Sequence, residues 1–289
     1  MDPNSRIEQA LREVLGEATA QPAPPGLSAA LGHAVFPGGA RVRPRLCLSV
    51  ALACGDDRPQ LADAAAAAIE LLHCASLVHD DLPCFDDAAM RRGRASVHRA
   101  YGERLAVLAG DTLIVLAFQV LAARVVEAPA RVAALLQTLA QAGGSPWGIG
   151  AGQAWECESA VSVAAYHRAK TGSLFAAATV SGALAAGADP VAWRAVGEYL
   201  GEAYQVADDL RDAVGHAEDL GKPVGQDRAH GRPSAVTDLG VRGAKRRLDG
   251  LVSRALASIP DCLGAEQLRA GIVEEMHRVL PCKLSLVAA

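Results

Sequence analysis

Residues 76–92 read SLVHDDLPCFDDAAMRR, where Asp80, Asp81, Asp86 and Asp87 place four carboxylates within eight positions, straight after an apolar run. Alone, such a cluster would be a solvated loop. Here it closes a long alanine-rich stretch, and Arg91 and Arg92 follow within one or two helical turns, so anionic and cationic partners are both expected nearby. A second cluster decides what the first is for. Over 204–212 the chain reads YQVADDLRD, and in a helix Asp208 and Asp212 stand one turn apart on one face with Asp209 beside them. Like charges at that spacing destabilise a bare helix. Hard divalent cations between the clusters relieve the repulsion, and all-oxygen sites with room for water and phosphate oxygens suit Mg²⁺, with Mn²⁺ as the alternative.

The elements that must position these groups read as helix almost throughout. Prolines fall between blocks rich in Ala, Leu and Arg, and strand-like alternation is missing. Helices are expected over 5–18, 27–35, 45–54, 60–81, 101–127, 130–142, 146–158, 163–186, 190–215, 236–257 and 264–279. Several are nearly apolar all round, which in a water-soluble protein means a helix surrounded by helices. The expected fold is therefore all-α, a large helical bundle, and no linker divides residues 1–289 into two domains. The stretch from Leu105 to Val126 is broken by Asp111, Gln119 and Arg124, so a core helix is expected there and no integral membrane span.

Composition narrows the partners. A net charge of -4 with both signs mixed leaves no polybasic field, so nucleic acid is not an expected partner. The seven cysteines are scattered, form no CxxC pair and sit mostly among apolar neighbours, as free thiols in a reducing cytoplasm would. The N-terminal MDPNSRIEQALREVLGEA is charged and amphipathic and lacks a signal-peptide core.

The chain resembles the trans-prenyl diphosphate synthases. DDLPCFD at 80–86 is similar to their first aspartate-rich motif in its bacterial form with a two-residue insertion, and DDLRD at 208–212 to the second. Around them fall GGARVRP at 38–44, ELLHCASLVHDD at 70–81, MRRG at 90–93, AGD at 109–111, GAGQ at 150–153, AKTG at 169–172, YQ at 204–205 and LGKPVGQD at 220–227, in matching order and spacing. The resemblance points towards bacterial geranylgeranyl diphosphate synthases of carotenoid pathways. It implies the isoprenoid-synthase bundle around a central cavity and a cytoplasmic homodimer. The implied chemistry is ionisation of an allylic diphosphate, attack on the cation by the double bond of isopentenyl diphosphate, and loss of a proton.

The resemblance also assigns roles. Asp80, Asp86 and Asp208 are expected as direct Mg²⁺ ligands, with Asp81, Asp209 and Asp212 acting through water or orienting the others, and Asp87 as a solvated neighbour. Arg91, Lys170 and Lys222, with Gln205 as a polar helper, match the allylic diphosphate site; Arg43, His73 and Arg92 match the isopentenyl diphosphate site, and Thr171 is expected among the substrate-binding residues. Lysine occurs only at 170, 222, 245 and 283, so its presence in two matching motifs is informative. Ala75 and Ser76, five and four places before Asp80, should line the wall along which the product tail grows. Both are small, where related farnesyl synthases with the inserted motif carry an aromatic residue five places before the first aspartate. The expected product is therefore C20, with farnesyl diphosphate as the alternative and Leu71, Leu72 or Phe118 as the floor.

Three positions depart from the pattern. Ala40 follows Gly38 and Gly39 where the family has lysine, residues 231–234 read GRPS in place of GKxT, and Glu156 stands where aspartate is usual. Arg41 is the expected substitute for the missing lysine charge. A non-catalytic partner subunit would be expected to lose aspartates that are intact here. A class I terpene cyclase would carry an Asn/Ser/Glu metal triad in place of the second aspartate cluster.

Overall fold

The computed structural model describes residues 2–36, 39–158, 166–214 and 234–279. The helices are α1 (Pro3–Ala18), α2 (Pro25–Val35), α3 (Val42–Ala53), α4 (Pro59–Asp80), α5 (Val97–Tyr101), α6 (Glu103–Ala122), α7 (Pro129–Gly143), α8 (Ile149–Ala154), α9 (Ser173–Ala185), α10 (Val191–Val214), α11 (Ala235–Ala257) and α12 (Ala265–Val279). Proline opens α1, α2, α4 and α7, where its missing N–H costs nothing. Asp2 caps α1, accepting the N–H groups of Asn4 at 2.9 Å and Ser5 at 3.2 Å.

The bundle is built around α4 and α9. Ala64 to Ile69 of α4 and Leu174 to Ala183 of α9 are buried without interruption, and α3, α6, α7 and α10 surround them. Small residues allow that closeness. Gly201 of α10 packs on Gly172, where an added Cβ would stand 2.8 Å from the Gly172 α-carbon.

Three expected helices are interrupted. The span 101–127 divides at Gly102 (φ 85°) into α5 and α6 and stops at Ala122. The span 146–158 shortens to α8 followed by one 3₁₀ turn, Trp155–Cys157. Before α9, Arg168–Gly172 forms a π turn, a local widening common at functional sites. A two-residue hairpin, β1 (Met90–Arg91) with β2 (Arg94–Ala95), was invisible as alternation because it is so short.

Among the described residues two helices, α4 and α6, are long and apolar enough to cross a membrane by composition. In α4 most of that stretch is buried inside the bundle; α6 is less covered and exposes Val107, Leu108 and Val115.

Candidate active site

Asp80 ends α4, and the loop after it folds straight back. The Asp86 N–H donates to Asp80 O at 3.0 Å and the Asp87 N–H to Leu82 O at 3.1 Å, which holds the inserted motif against the helix end. Burial pushes the Asp80 carboxyl above its ordinary range, opposed by Lys170 and reinforced by Asp86 and Glu156. Asp87, in a left-handed conformation (φ 44°), accepts from Arg99 Nη2 at 2.9 Å, so it is an anchored member of the loop as well as a half-exposed one.

The π turn carries the facing cation. Lys170 Nζ stands 3.3 Å from Asp80 Oδ1 and 2.5 Å from Glu156 Oε1, and Glu156 also accepts from the Tyr166 hydroxyl at 2.6 Å. This segment can approach α8 because residue 152 is glycine: a Cβ there would lie 2.6 Å from the Lys170 α-carbon. Thr171 Oγ1 donates to Gln205 Oε1 at 3.0 Å, and Gln205 Nε2 donates to Asp209 Oδ1 at 3.0 Å, tying the π turn to α10.

Asp80, Asp208, Lys170, Thr171 and Gln205 all line one cavity of about 770 Å³. Its walls continue downward along Leu72, Ala75 and Ser76 of α4, Val107, Asp111 and Ile114 of α6, and Gly143 of α7. Ser76 Oγ donates to His73 O at 2.8 Å, which satisfies the hydroxyl within its own helix. Of the residues expected near the floor, Leu72 lines the cavity, whereas Leu71 and Phe118 do not; Ile114 of α6 lines it as well.

The two remaining aspartates of the DD pairs turn inward. Asp81 is buried and held by Arg91, whose Nε lies 3.0 Å and Nη2 2.5 Å from Oδ1. Burial raises its pKa above the usual value despite that guanidinium. Asp209 is likewise buried and raised; its Oδ2 accepts the Ala235 N–H at 2.7 Å, fastening the start of α11. Both carboxylates are thus engaged by protein partners, Asp81 by Arg91 and Asp209 by Gln205 and the Ala235 N–H. Asp212 is buried one turn beyond Asp208, which accepts from Arg211 Nη2 at 2.7 Å. Among the described residues no three His, Cys, Asp or Glu side chains converge into a ready-made metal cage.

Arg43 and His73 line the same cavity. Arg43 Nη1 lies 3.3 Å from His73 Nε2, its guanidinium packs over Phe175 at 4.8 Å, and its Nε is buried without a partner among the protein atoms. Burial, then the charges of Arg43, Arg92, Arg91 and Arg41, hold the His73 pKa well below its ordinary value, so the ring is neutral. The Arg92 guanidinium lies against Gly39, where a Cβ would come within 2.8 Å of Cζ. Buried Glu70 faces this cluster at 4.0 Å from Arg92 Nη2.

Arg41 does not stand in for the missing lysine. It is buried, donates to Glu8 at 2.9 Å, to Glu70 at 2.6 Å and to Val35 O at 2.9 Å, and so serves as an internal anchor. Lys222 and Arg232 lie outside the described residues. Sequence reasoning gave no role to Glu70, Glu156 or Tyr166; Glu156 was visible only as a departure, and Glu70 only as an acid inside an apolar helix.

The fold and site together define an all-α protein of the isoprenoid-synthase type: the geranyltransferase of Helicobacter pylori, solved with magnesium and isoprenyl diphosphate, matches with a TM-score of 0.79 and 28% identity, covering 96% of this chain and 99% of that one. Residues 24–259 match the family model for polyprenyl synthetase. The geranylgeranyl diphosphate synthases of Cereibacter sphaeroides and Rhodobacter capsulatus are 54% and 52% identical over 280 residues, 97% of this chain and 97% of each relative. The chain belongs to the polyprenyl synthetase family.

Proposed function

We propose that this chain is a trans-prenyltransferase that joins isopentenyl diphosphate to allylic diphosphates (C5 to C15) and makes geranylgeranyl diphosphate, a precursor for carotenoid biosynthesis. The observation that carries this reading is a single cavity with Asp80, Asp208 and Lys170 at one end and a wall of small and apolar side chains, Ala75 and Ser76 among them, below. Its volume of about 770 Å³ accommodates a prenyl chain. The named activity of the two close relatives supports the same product.

The donor set fits a hard divalent ion. Asp80, Asp86 and Asp208 offer oxygen only, and the raised pKa of Asp80 reflects burial and crowded negative charge that a cation would relieve. When bound there, Mg²⁺ would neutralise the departing pyrophosphate. Lys170, Thr171 and Gln205, with Arg91 and Lys222, would orient the allylic diphosphate, while Arg43, His73 and Arg92 would hold the isopentenyl diphosphate. Neutral His73 can donate a hydrogen bond without adding charge, leaving the arginines to balance the phosphates. Asp81 keeps Arg91 aimed, and the buried ring of Phe175 with the half-buried ring of Tyr204 shelters Arg43 from water.

We assign the exposed apolar side of α6, with Leu108 and Val115, to contact with a second copy of the chain, and read the whole chain as one cytoplasmic domain. Purified protein incubated with Mg²⁺, isopentenyl diphosphate and separate C5, C10 and C15 primers should yield C20 product by chromatography, and should run as a dimer in light scattering. No elongation from any primer would refute the enzyme reading; a C15 end product would refute the length.

A further inference from the structure

We propose that Gly143 is a specificity-determining residue that sets, with Leu72, how deep the product tail can run; this rests on the chain-elongating reading above. Gly143 is the last residue of α7 and lines the cavity together with Leu72 of α4. A Cβ at 143 would stand 3.5 Å from Leu72 Cδ1 and 3.9 Å from Cδ2, ordinary contact distances, so an alanine fits against Leu72 and further side-chain atoms have to find room beside it. The backbone gives no other reason for glycine, since position 143 is helical and has no left-handed φ. Leu72 is 4% exposed and packed into the core, so it has little freedom to retreat. A bulky side chain at 143 must therefore enter the lumen or drive Leu72 into it. Leu72 lies eight residues before Asp80, about 12 Å along the helix axis at roughly 1.5 Å per residue, one step deeper than Ala75. The Leu72–Gly143 level is thus where a tail that has passed Ala75 next meets resistance.

The test is the product distribution of wild type, Gly143→Ala, Gly143→Leu, Gly143→Phe and the pair Gly143→Phe/Leu72→Ala, each checked for wild-type helicity. Gly143→Ala should keep C20. Gly143→Leu and Gly143→Phe should shift the C20:C15 ratio towards C15 by roughly tenfold or more, the scale on which apolar pockets discriminate, and the paired variant should recover C20. The KM for isopentenyl diphosphate should not change, because the diphosphate sites are untouched. A folded Phe or Leu variant that still makes C20, or that loses activity with every primer, overturns the gauge. Should Phe fail to fold, the Leu variant decides. If wild type itself stops at C15, the C20 reading fails, and the gauge then predicts C10 from the Phe variant.

Discussion

Lys170 Nζ sits between two carboxylates, 3.3 Å from Asp80 Oδ1 and 2.5 Å from Glu156 Oε1, and so links the first aspartate cluster to the π turn across the mouth of the cavity. Glu156 thereby fixes the Lys170 ammonium beside Asp80, where the proposed function has it orient the allylic diphosphate. Glu156→Ala should raise the KM for allylic diphosphate by roughly tenfold, the scale of one charge-assisted hydrogen bond, with a smaller change in the KM for isopentenyl diphosphate. Initial-rate kinetics with each substrate varied in turn make the comparison.

Asp80→Ala and Asp208→Ala should each lower kcat by at least about a thousandfold, the upper scale of a lost electrostatic contact at a reacting centre, with far-ultraviolet circular dichroism unchanged. If either variant turns over at near-normal rate, the two clusters do not act on one leaving group.

Ala40→Lys should lower the KM for isopentenyl diphosphate. One added charge-assisted hydrogen bond is worth about 1.5–3 kcal/mol, or roughly ten- to a hundredfold, and Arg41 is already committed to Glu8, Glu70 and Val35 O. An unchanged KM would mean that Arg43 and Arg92 already saturate the phosphate.

Glu70→Ala should destabilise the fold by about 3–5 kcal/mol, because it leaves the Arg41 guanidinium buried without its closest counter-charge. Urea denaturation measures this, and the loss should exceed that of Glu202→Ala, whose pair with Arg247 is exposed.

The pH dependence of stability should carry the signature of His73. Its folded pKa lies well below the ordinary 6.5, chiefly through burial. The unfolded chain therefore binds the proton more readily, and stability rises with pH through that value and falls below it. His73→Gln should flatten the slope of unfolding free energy between about pH 5 and 7. A slope equal to wild type would show that another group controls the acid limb.

Ala75→Tyr should shorten the product from C20 to C15 while leaving the protein active, since Ala75 is buried on the cavity wall about one turn and a half behind Asp80. Gas chromatography of the dephosphorylated products reads the outcome. An active tyrosine variant still making C20 would remove Ala75 from the wall.

What the sequence determined by itself was what is local and repeated: helices, because apolar periodicity and proline spacing act over a few residues, and the two aspartate clusters, because like charges packed so closely need a partner. The ends of α4 and α11 follow from the same short-range rules. The tertiary structure decided which member of each DD pair faces the cavity. Asp80 and Asp208 line it, whereas Asp81 and Asp209 turn to Arg91 and to the Ala235 N–H, a choice set by helix rotation and by partners 10 and 26 residues away. It also decided the fate of Arg41, which the linear motif offered to a substrate and the fold gave to Glu70, 29 residues distant. Side-chain charges are visible in a sequence; which charge meets which across a packed core depends on the directions in which helices cross, and no short-range pattern encodes that.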